Sequence, residues 1–305
     1  MSVKVGVVGV GAIGRNHARV YAELDSAEFV GVYDADAALA EEVVQAYGGR
    51  AFPDFASFVA AVEAASVATP TVTHREVATG LLEAGRHVLV EKPISDSVDD
   101  AKAMIDLAAE RGLVLQVGHI ERFNPVMSQL ERHLDSPRFI ECHRLSPFPM
   151  RSLDIGVVLD LMIHDLEIVL HLVNSPVVSV DAVGVPVLTQ REDIANARLR
   201  FANGCVANIT ASRISPERMR KIRVFQSEAY LSLDYQDQSG WVYRREGMEI
   251  ARVAVEVEKD EPLKCELSAF VDCAAGGVQP KVGGHQGAAA LDVALTITRL
   301  IEEAG

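Results

Sequence analysis

Six residues, Gly9-Val10-Gly11-Ala12-Ile13-Gly14, restrict this chain more than any others. They follow a run of strand formers, Val3 to Val8, and open a helical pattern over residues 15–24. A second apolar run, residues 28–33, ends on Asp34. Each glycine has its own task in a strand–turn–helix of this kind. Gly9 turns the chain, Gly11 lets backbone approach a pyrophosphate, and Gly14 lets the helix pack close to the strand. The N–H groups at the helix start, around Ala12 and Ile13, then hold the anion with the help of the helix dipole. Asp34, 20 residues beyond Gly14, is where a carboxylate accepts hydrogen bonds from the adenine ribose hydroxyls. A glycine triplet alone also fits an ordinary tight turn, but strand, helix and acid together make dinucleotide binding the expectation. NAD is expected over NADP, because Asp34 repels a 2′-phosphate. The following Ala35-Asp36-Ala37-Ala38 offers that phosphate no cation, and the next arginine is Arg50.

The chain has 305 residues, enough for two domains, and 29 basic against 43 acidic residues give a net charge of −14. That balance argues against nucleic acid or an anionic membrane as a partner. An anionic cofactor therefore depends on local features such as helix N-termini. Cys142, Cys205, Cys265 and Cys273 show no C-x-x-C spacing, as expected of a reduced cytosolic protein. No apolar run approaches a membrane span, and a strand starting at Val3 leaves no room for a leader, so a cytoplasmic location is expected.

Up to residue 119 strands alternate with helices, the pattern of a parallel sheet covered on both faces. Ligands sit beyond the carboxyl ends of such strands. Three stretches fall there and converge on the nicotinamide half of a cleft: Thr69-Pro70, Glu91-Lys92-Pro93 and Gly118-His119. From residue 120 the pattern changes to a run of strands, with a strongly apolar helix over 157–173 and two closing helices over 263–275 and 286–303. The expected fold class is α/β: a Rossmann dinucleotide-binding domain over residues 1–119, then a C-terminal α+β domain over 120–305 with a large, mostly antiparallel open sheet. One face of that sheet packs on the apolar helix; the other needs water or a partner subunit.

Lys92 is the first candidate for chemistry. Pro93 biases it away from helical geometry, so it stands at a strand end, where an ammonium can steady developing alkoxide charge. A surface salt bridge with Glu91 is the plainer alternative. Asp160 and His164 are four apart in an otherwise apolar helix, where an unpaired acid is costly. His164 can act as general base and Asp160 can orient it or bind a hydroxyl, although a structural Asp–His pair fits as well. Two such ligands without a third make a metal site improbable. The stretch 213–223 holds Arg213, Arg218, Arg220, Lys221 and Arg223 against one acid, Glu217. Such a cluster suits a diphosphate, or equally a solvated strand edge. The glycine-rich stretch before Gln286 is either a second anion site or a connector. His74, His119 and Asn124 are weaker candidates for cofactor or substrate contact, because a lone histidine is more often structural.

These motifs resemble the Gfo/Idh/MocA family of NAD(P)-dependent sugar and cyclitol oxidoreductases. The resemblance rests on the glycine motif, Ala68-Thr69-Pro70-Thr71-Val72-Thr73-His74, Glu91-Lys92-Pro93 and Asp160-x-x-x-His164, in the family's order over essentially the whole chain. It implies Lys92, Asp160 and His164 as the catalytic set, with Thr69, Pro70, His74, Glu91 and Lys92 on the cofactor. It also implies dimers or tetramers through the open sheet. The stretches 117–125, 160–165 and 211–223 are most similar to the bacterial UDP-N-acetylglucosamine 3-dehydrogenases of lipid A diamino-sugar synthesis, which implies His119, Arg122, Asn124, Arg213 and Arg218 as substrate contacts. Two departures stand on the substrate side: Gly156-Val157-Val158 in place of paired glycines, and His285-Gln286-Gly287 in place of Asp-Gly-Leu. The rival expectations are a myo-inositol or free-sugar dehydrogenase and, from another class, a cofactor-sensing regulator on the same fold.

Overall fold

The structure is a computed structural model that describes residues 2–148 and 155–304. In chain order the elements are β1 (Val3–Val8), α1 (Ala12–Glu23), β2 (Ala27–Tyr33), α2 (Ala37–Tyr47), β3 (Arg50–Ala51), α3 (Phe55–Ala61), β4 (Ala64–Val67), α4 (His74–Glu83), β5 (His87–Glu91), α5 (Val98–Arg111) and β6 (Leu115–Gly118). They continue with α6 (Val126–His133), β7 (Phe139–Leu145), α7 (Ile163–Val173), β8 (Val177–Val185), β9 (Ile194–Phe201), β10 (Val206–Ser212) and β11 (Met219–Phe225). The last are β12 (Ala229–Asp234), β13 (Ser239–Glu246), β14 (Glu249–Ala254), α8 (Pro262–Gly276) and α9 (Gly284–Ala304). Two compact units result: residues 1–123 with 261–288, and residues 124–260 with 289–305. Among the described residues no helix is long and apolar enough to cross a membrane.

The first unit is a six-stranded parallel sheet in the order β3-β2-β1-β4-β5-β6. The central strand β4 is buried on both faces, which is why it reads as an unbroken run of small or apolar residues. Helix α1 buries Gly14, His17, Ala18 and Tyr21, one face at helical spacing, so its exposed side carries the charges. Asp36, Asp54 and Ser97 start α2, α3 and α5 by accepting hydrogen bonds from first-turn amides at 2.7–3.4 Å.

The unit boundaries differ from the expected division at residue 119. Residues 261–288 belong to the first unit: Leu263, Leu267, Phe270 and Val271 of α8 lie in one core with Val5, Val7 and Tyr21, and Gln116 bridges to Gly283. An amphipathic helix carries no label saying which core it covers, so sequence order was a poor guide here.

The second unit is an eight-stranded sheet, β14-β13-β12-β11-β7-β10-β9-β8. Every pairing is antiparallel except β7 with β10. One face, with Ile140, Ile209, Ile222, Val224, Leu231 and Leu199, forms a core with Leu166 and Val169 of α7. The opposite face carries a cross-strand row of aromatic rings. Phe139, Phe225, Tyr230 and Tyr243 follow one another at centroid spacings of 5.7, 5.1 and 4.2 Å. The apolar helix expected over 157–173 is not uniform: Val158–Met162 is a π-helical turn that leads into α7. Phe270→Ala should lower the stability of the first unit by about 3–5 kcal/mol. Urea denaturation measures this, and a loss below about 1 kcal/mol would take α8 out of that core.

Candidate functional site

The glycine loop of the first unit has the shape a dinucleotide needs. Gly9 sits at φ +83, and a Cβ there would lie 2.8 Å from the Ala68 carbonyl oxygen and the Thr69 amide. A Cβ on Gly14 would stand 1.8 Å from the Gly9 carbonyl oxygen, so only glycine lets α1 come this close to β1. Above Gly11 a Cβ would meet nothing within 4 Å, which leaves the approach open where a pyrophosphate docks. No side chain caps the start of α1, so the first-turn amides around Ala12 and Ile13 have no side-chain acceptor. Asp34 holds the loop from β2. Its Oδ2 accepts from the Val10 amide at 2.7 Å and its Oδ1 from the Asp36 amide at 2.8 Å. Gly9, Gly11, Gly14 and Asp34 are therefore assembled as one cradle.

At the end of β4, Thr69 and Pro70 are joined to the next turn by Thr73, whose Oγ1 donates to the Pro70 carbonyl at 2.7 Å and lies 2.8 Å from Thr69 Oγ1. His74, expected on the cofactor, has another task. It is 1% exposed, with Nε2 2.9 Å from the Thr69 carbonyl oxygen and Nδ1 2.9 Å from that of Pro93. Burial pushes its pKa down, and the two carbonyls partly counter that. The ring lies between the β4 and β5 turns, with a backbone carbonyl facing each nitrogen.

Glu91 and Lys92 stand at the end of β5, followed by a cis Lys92–Pro93 peptide. Glu91 is buried, with Oε1 3.0 Å from His17 Nε2 and Oε2 accepting from the Lys92 amide at 3.2 Å. A Cβ on Gly118 would lie 2.7 Å from Glu91 Oε1, so the glycine makes the carboxylate's space. Burial opposes its charge, but His17 and then Lys92 hold Glu91 below the usual carboxylate range. Nearby Glu266 of α8 is fully buried, and neither carboxylate oxygen has a hydrogen-bond partner among the described residues. Burial, with Glu91 and Glu121 beside it, raises Glu266 well above that range. His119 is 1% exposed, and its pKa is pushed down to about 3 by burial and then by Lys92 and Arg122, which makes it a neutral ring beside the lysine. Lys92 itself is half-buried.

In the second unit Asp160 falls in the π-helical turn and is 8% exposed, while His164 occupies the first turn of α7 and is half-buried. Single π turns recur at functional sites in helical segments. Asp165, next in sequence, is structural: Arg144 of β7 grips it in a buried two-bonded pair at 2.7 and 3.1 Å.

The substrate contacts expected from sequence fare unevenly. Arg213 is fully buried. Its Nε donates to Asp193 at 2.9 Å, its Nη1 to the Ile155 carbonyl at 2.8 Å and its Nη2 to Thr189 Oγ1 at 3.0 Å. All of its donor groups face inward, so it is a brace and not a diphosphate contact. Asn124 is 3% exposed; it donates to the Tyr235 carbonyl at 3.0 Å and accepts from the Val126 amide at 3.3 Å, which fixes the start of α6. Arg122 is 2% exposed and so presents no open surface to a ligand. Arg218 remains exposed. Of the basic stretch, Lys221 pairs with Asp234 at 3.6 Å and Arg223 with Glu141 at 3.4 Å. Three residues of consequence carried no clear signal in the sequence: His17, Glu266 and Glu192. His17 lies three residues after Gly14, a spacing that puts both on one helix face; the two glutamates look like any surface acid.

Comparison with known proteins agrees with this geometry. Residues 3–119 match the family model for the oxidoreductase family, NAD-binding Rossmann fold, and residues 131–232 match that for the GFO/IDH/MocA C-terminal domain. The chain is 38% identical to the UDP-N-acetylglucosamine 3-dehydrogenase of Acidithiobacillus ferrooxidans over 98% of this chain and 97% of that one. The solved structure of that enzyme superposes with a TM-score of 0.95 over 99% of each chain. Identity to the scyllo-inositol 2-dehydrogenase (NAD(+)) of Bacillus subtilis is 28%, over 70% of this chain and 68% of that one. A levoglucosan dehydrogenase solved with NADH and levoglucosan shares the fold, with TM-score 0.89 at 18% identity. With its glycine cradle, its Asp34 and its Glu91-Lys92-Pro93 turn, the chain belongs to the Gfo/Idh/MocA family of oxidoreductases and uses NAD.

Proposed function

We propose that the protein is a cytoplasmic NAD-dependent dehydrogenase that oxidises the 3-hydroxyl of UDP-N-acetylglucosamine to the 3-keto sugar, a step that supplies lipid A diamino-sugar precursors. The observation that carries the substrate is the 38% identity to an enzyme of that name over nearly the full length of both chains. Bound NAD supplies the hydride acceptor. Lys92, at the tip of β5, donates to the reacting oxygen and steadies its developing negative charge. The Glu91 carboxylate, whose pKa is lowered by His17 and then by Lys92, holds the Lys92 backbone amide at 3.2 Å. His164 takes the hydroxyl proton as general base, and Asp160 orients the ring hydroxyl or the imidazole. His119 stays neutral beside Lys92 and so adds no competing positive charge.

A free polyol is the second reading. It is favoured by the fate of the basic stretch, since Arg213, Lys221 and Arg223 each pair with a carboxylate of this chain. Arg218 is then the remaining expected contact for a diphosphate. The aromatic row on the open sheet face supports a homodimer or homotetramer, because such rings lose less when covered by a second copy than when left in water. Light scattering of the purified protein measures that state, and a monomer at micromolar concentration would end this part of the reading.

NADH absorbance with UDP-N-acetylglucosamine, its uronic acid and myo-inositol side by side should show turnover with the first; turnover with myo-inositol alone would select the second reading. His164→Ala should keep NAD binding while turnover falls by roughly 10²–10⁴-fold. Unchanged turnover would remove His164 from the chemistry. Asp34→Ala should weaken NAD binding and narrow the preference over NADP, because it removes both the ribose acceptor and the bond to Val10. Titrations that give the same two affinities before and after would contradict that role.

A further inference from the structure

The segment that leads into the π-helical turn is gripped from one side by a single short loop. The Val157 amide donates to the Glu192 backbone carbonyl at 2.9 Å, and the Val158 amide donates to Glu192 Oε1 at 3.2 Å. Glu192 lies flat on Gly156: a Cβ there would sit 1.8 Å from Oε1 and 2.1 Å from Cδ. The residue is 6% exposed, and its carboxylate is turned onto the Val158 amide while its backbone carbonyl takes the Val157 amide.

Glu192 is itself held. Its neighbour Asp193 accepts from the amides of Val187, Leu188 and Thr189 at 2.8, 2.6 and 2.9 Å, and from Arg213 Nε at 2.9 Å. Burial would raise the Asp193 pKa, but these donors hold it well below the usual range, so the anchor stays charged. Arg213 closes the loop by donating to the Ile155 carbonyl at 2.8 Å. Four consecutive residues, 155–158, are thus fixed by two acids and one arginine. Asp160 begins just beyond, with its own amide bonded to the Gly156 carbonyl at 3.1 Å.

We propose that Glu192 is a positioning residue: its carboxylate, seated on Gly156 and bonded to the Val158 amide, sets the height and rotation of the turn that presents Asp160 and His164. This rests on the reading of those two residues as the reacting pair. It also explains why a glycine must stand at 156 although the next residue is valine. A helix start displaced by about 1 Å takes the base out of reach of its proton, a loss that can reach about 10²-fold.

The test compares Glu192→Ala, Glu192→Gln and Gly156→Ala with the wild-type protein, using NAD with UDP-N-acetylglucosamine and with myo-inositol. Glu192→Ala and Gly156→Ala should lower kcat by about 10- to 100-fold with unchanged NAD affinity. Glu192→Gln keeps the acceptor oxygen and should rescue most of the turnover. Hydrogen exchange should show the amides of residues 157–160 deprotected in Glu192→Ala and protected in Glu192→Gln, a readout that holds whichever sugar is used. A variant that melts earlier yet turns over at the wild-type rate per folded molecule would reduce Glu192 to a structural residue and overturn the proposal. So would unchanged exchange in both Glu192→Ala and Gly156→Ala, which also decides the matter if one variant fails to fold. His164→Ala serves as the control: if it is inactive while Glu192→Ala is unaffected, only the clamp fails, and if it is fully active, the reacting pair and the clamp fall together.

Discussion

Asp34 accepts a hydrogen bond from the Val10 amide at 2.7 Å, and the glycine loop keeps its shape because of it. The same device recurs where the chain must hold other reactive segments still. Glu91 accepts from the amide of Lys92, and Glu192 from the amide of Val158. In each case a side-chain carboxylate replaces the water that a strand end or helix start would otherwise bind. This gives a use to acids in a chain of net charge −14, where the overall field would repel an anionic ligand. Attraction for such a ligand then comes from backbone amides and one or two cations at short range. The internal acids keep those groups in place.

Burying acids creates a second problem, which the first unit solves by separating them. Glu91 and Glu266 are both buried, and each raises the cost of charging the other. Only Glu91 has partners for its charge, in His17 and the Lys92 amide, so its pKa is lowered while that of Glu266 is raised. Two like carboxylates in one environment would share the burden evenly; unequal partners push their pKa values apart. The negative charge therefore rests at the base of Lys92. Helix α8, which brings Glu266, lies far along the sequence from β5, so this arrangement depends on residues 261–288 folding into the first unit.

How much of this could be read from sequence follows from the range of each signal. The glycine loop, the acid at Asp34 and the alternation of strands and helices are local patterns with fixed spacing, and they were legible in detail. The run of strands after residue 120 was legible because alternation of buried and open positions, as in β7 and β9, repeats every two residues. Strand β3, two residues long, was too short to show a period. The π-helical turn was invisible, since one extra residue in a turn leaves an apolar run looking the same. Asp160 and His164 could be singled out because an acid is costly in an apolar helix, and Lys92 because Pro93 keeps it at a strand end. His74, Asn124 and Arg213 could not be sorted from true ligand contacts. Their partners are carbonyls and acids distant in sequence, and only the fold reveals that their donors are already used.

The basic stretch shows the same limit from the side of charge. Counted along the sequence, 213–223 looks like one patch, but the chain passes through a turn and then into a strand. Arg213 precedes the turn and faces inward to Asp193. Within β11 the side chains alternate, so Lys221 and Arg223 fall on the open face, where the register with β12 and β7 sets Asp234 opposite the first and Glu141 opposite the second. Arg220 falls on the other face, opposite Arg144, whose own charge is answered by Asp165. Four of the five cations close in sequence are thus divided between two faces and a buried brace, Arg218 lies in the loop before β11, and three of the five pair with carboxylates of this chain. A diphosphate would meet at most a part of that cluster. Recognition of a nucleotide-linked sugar then has to rest on exposed groups such as Arg218 and on backbone amides, the same short-range donors on which the dinucleotide loop relies.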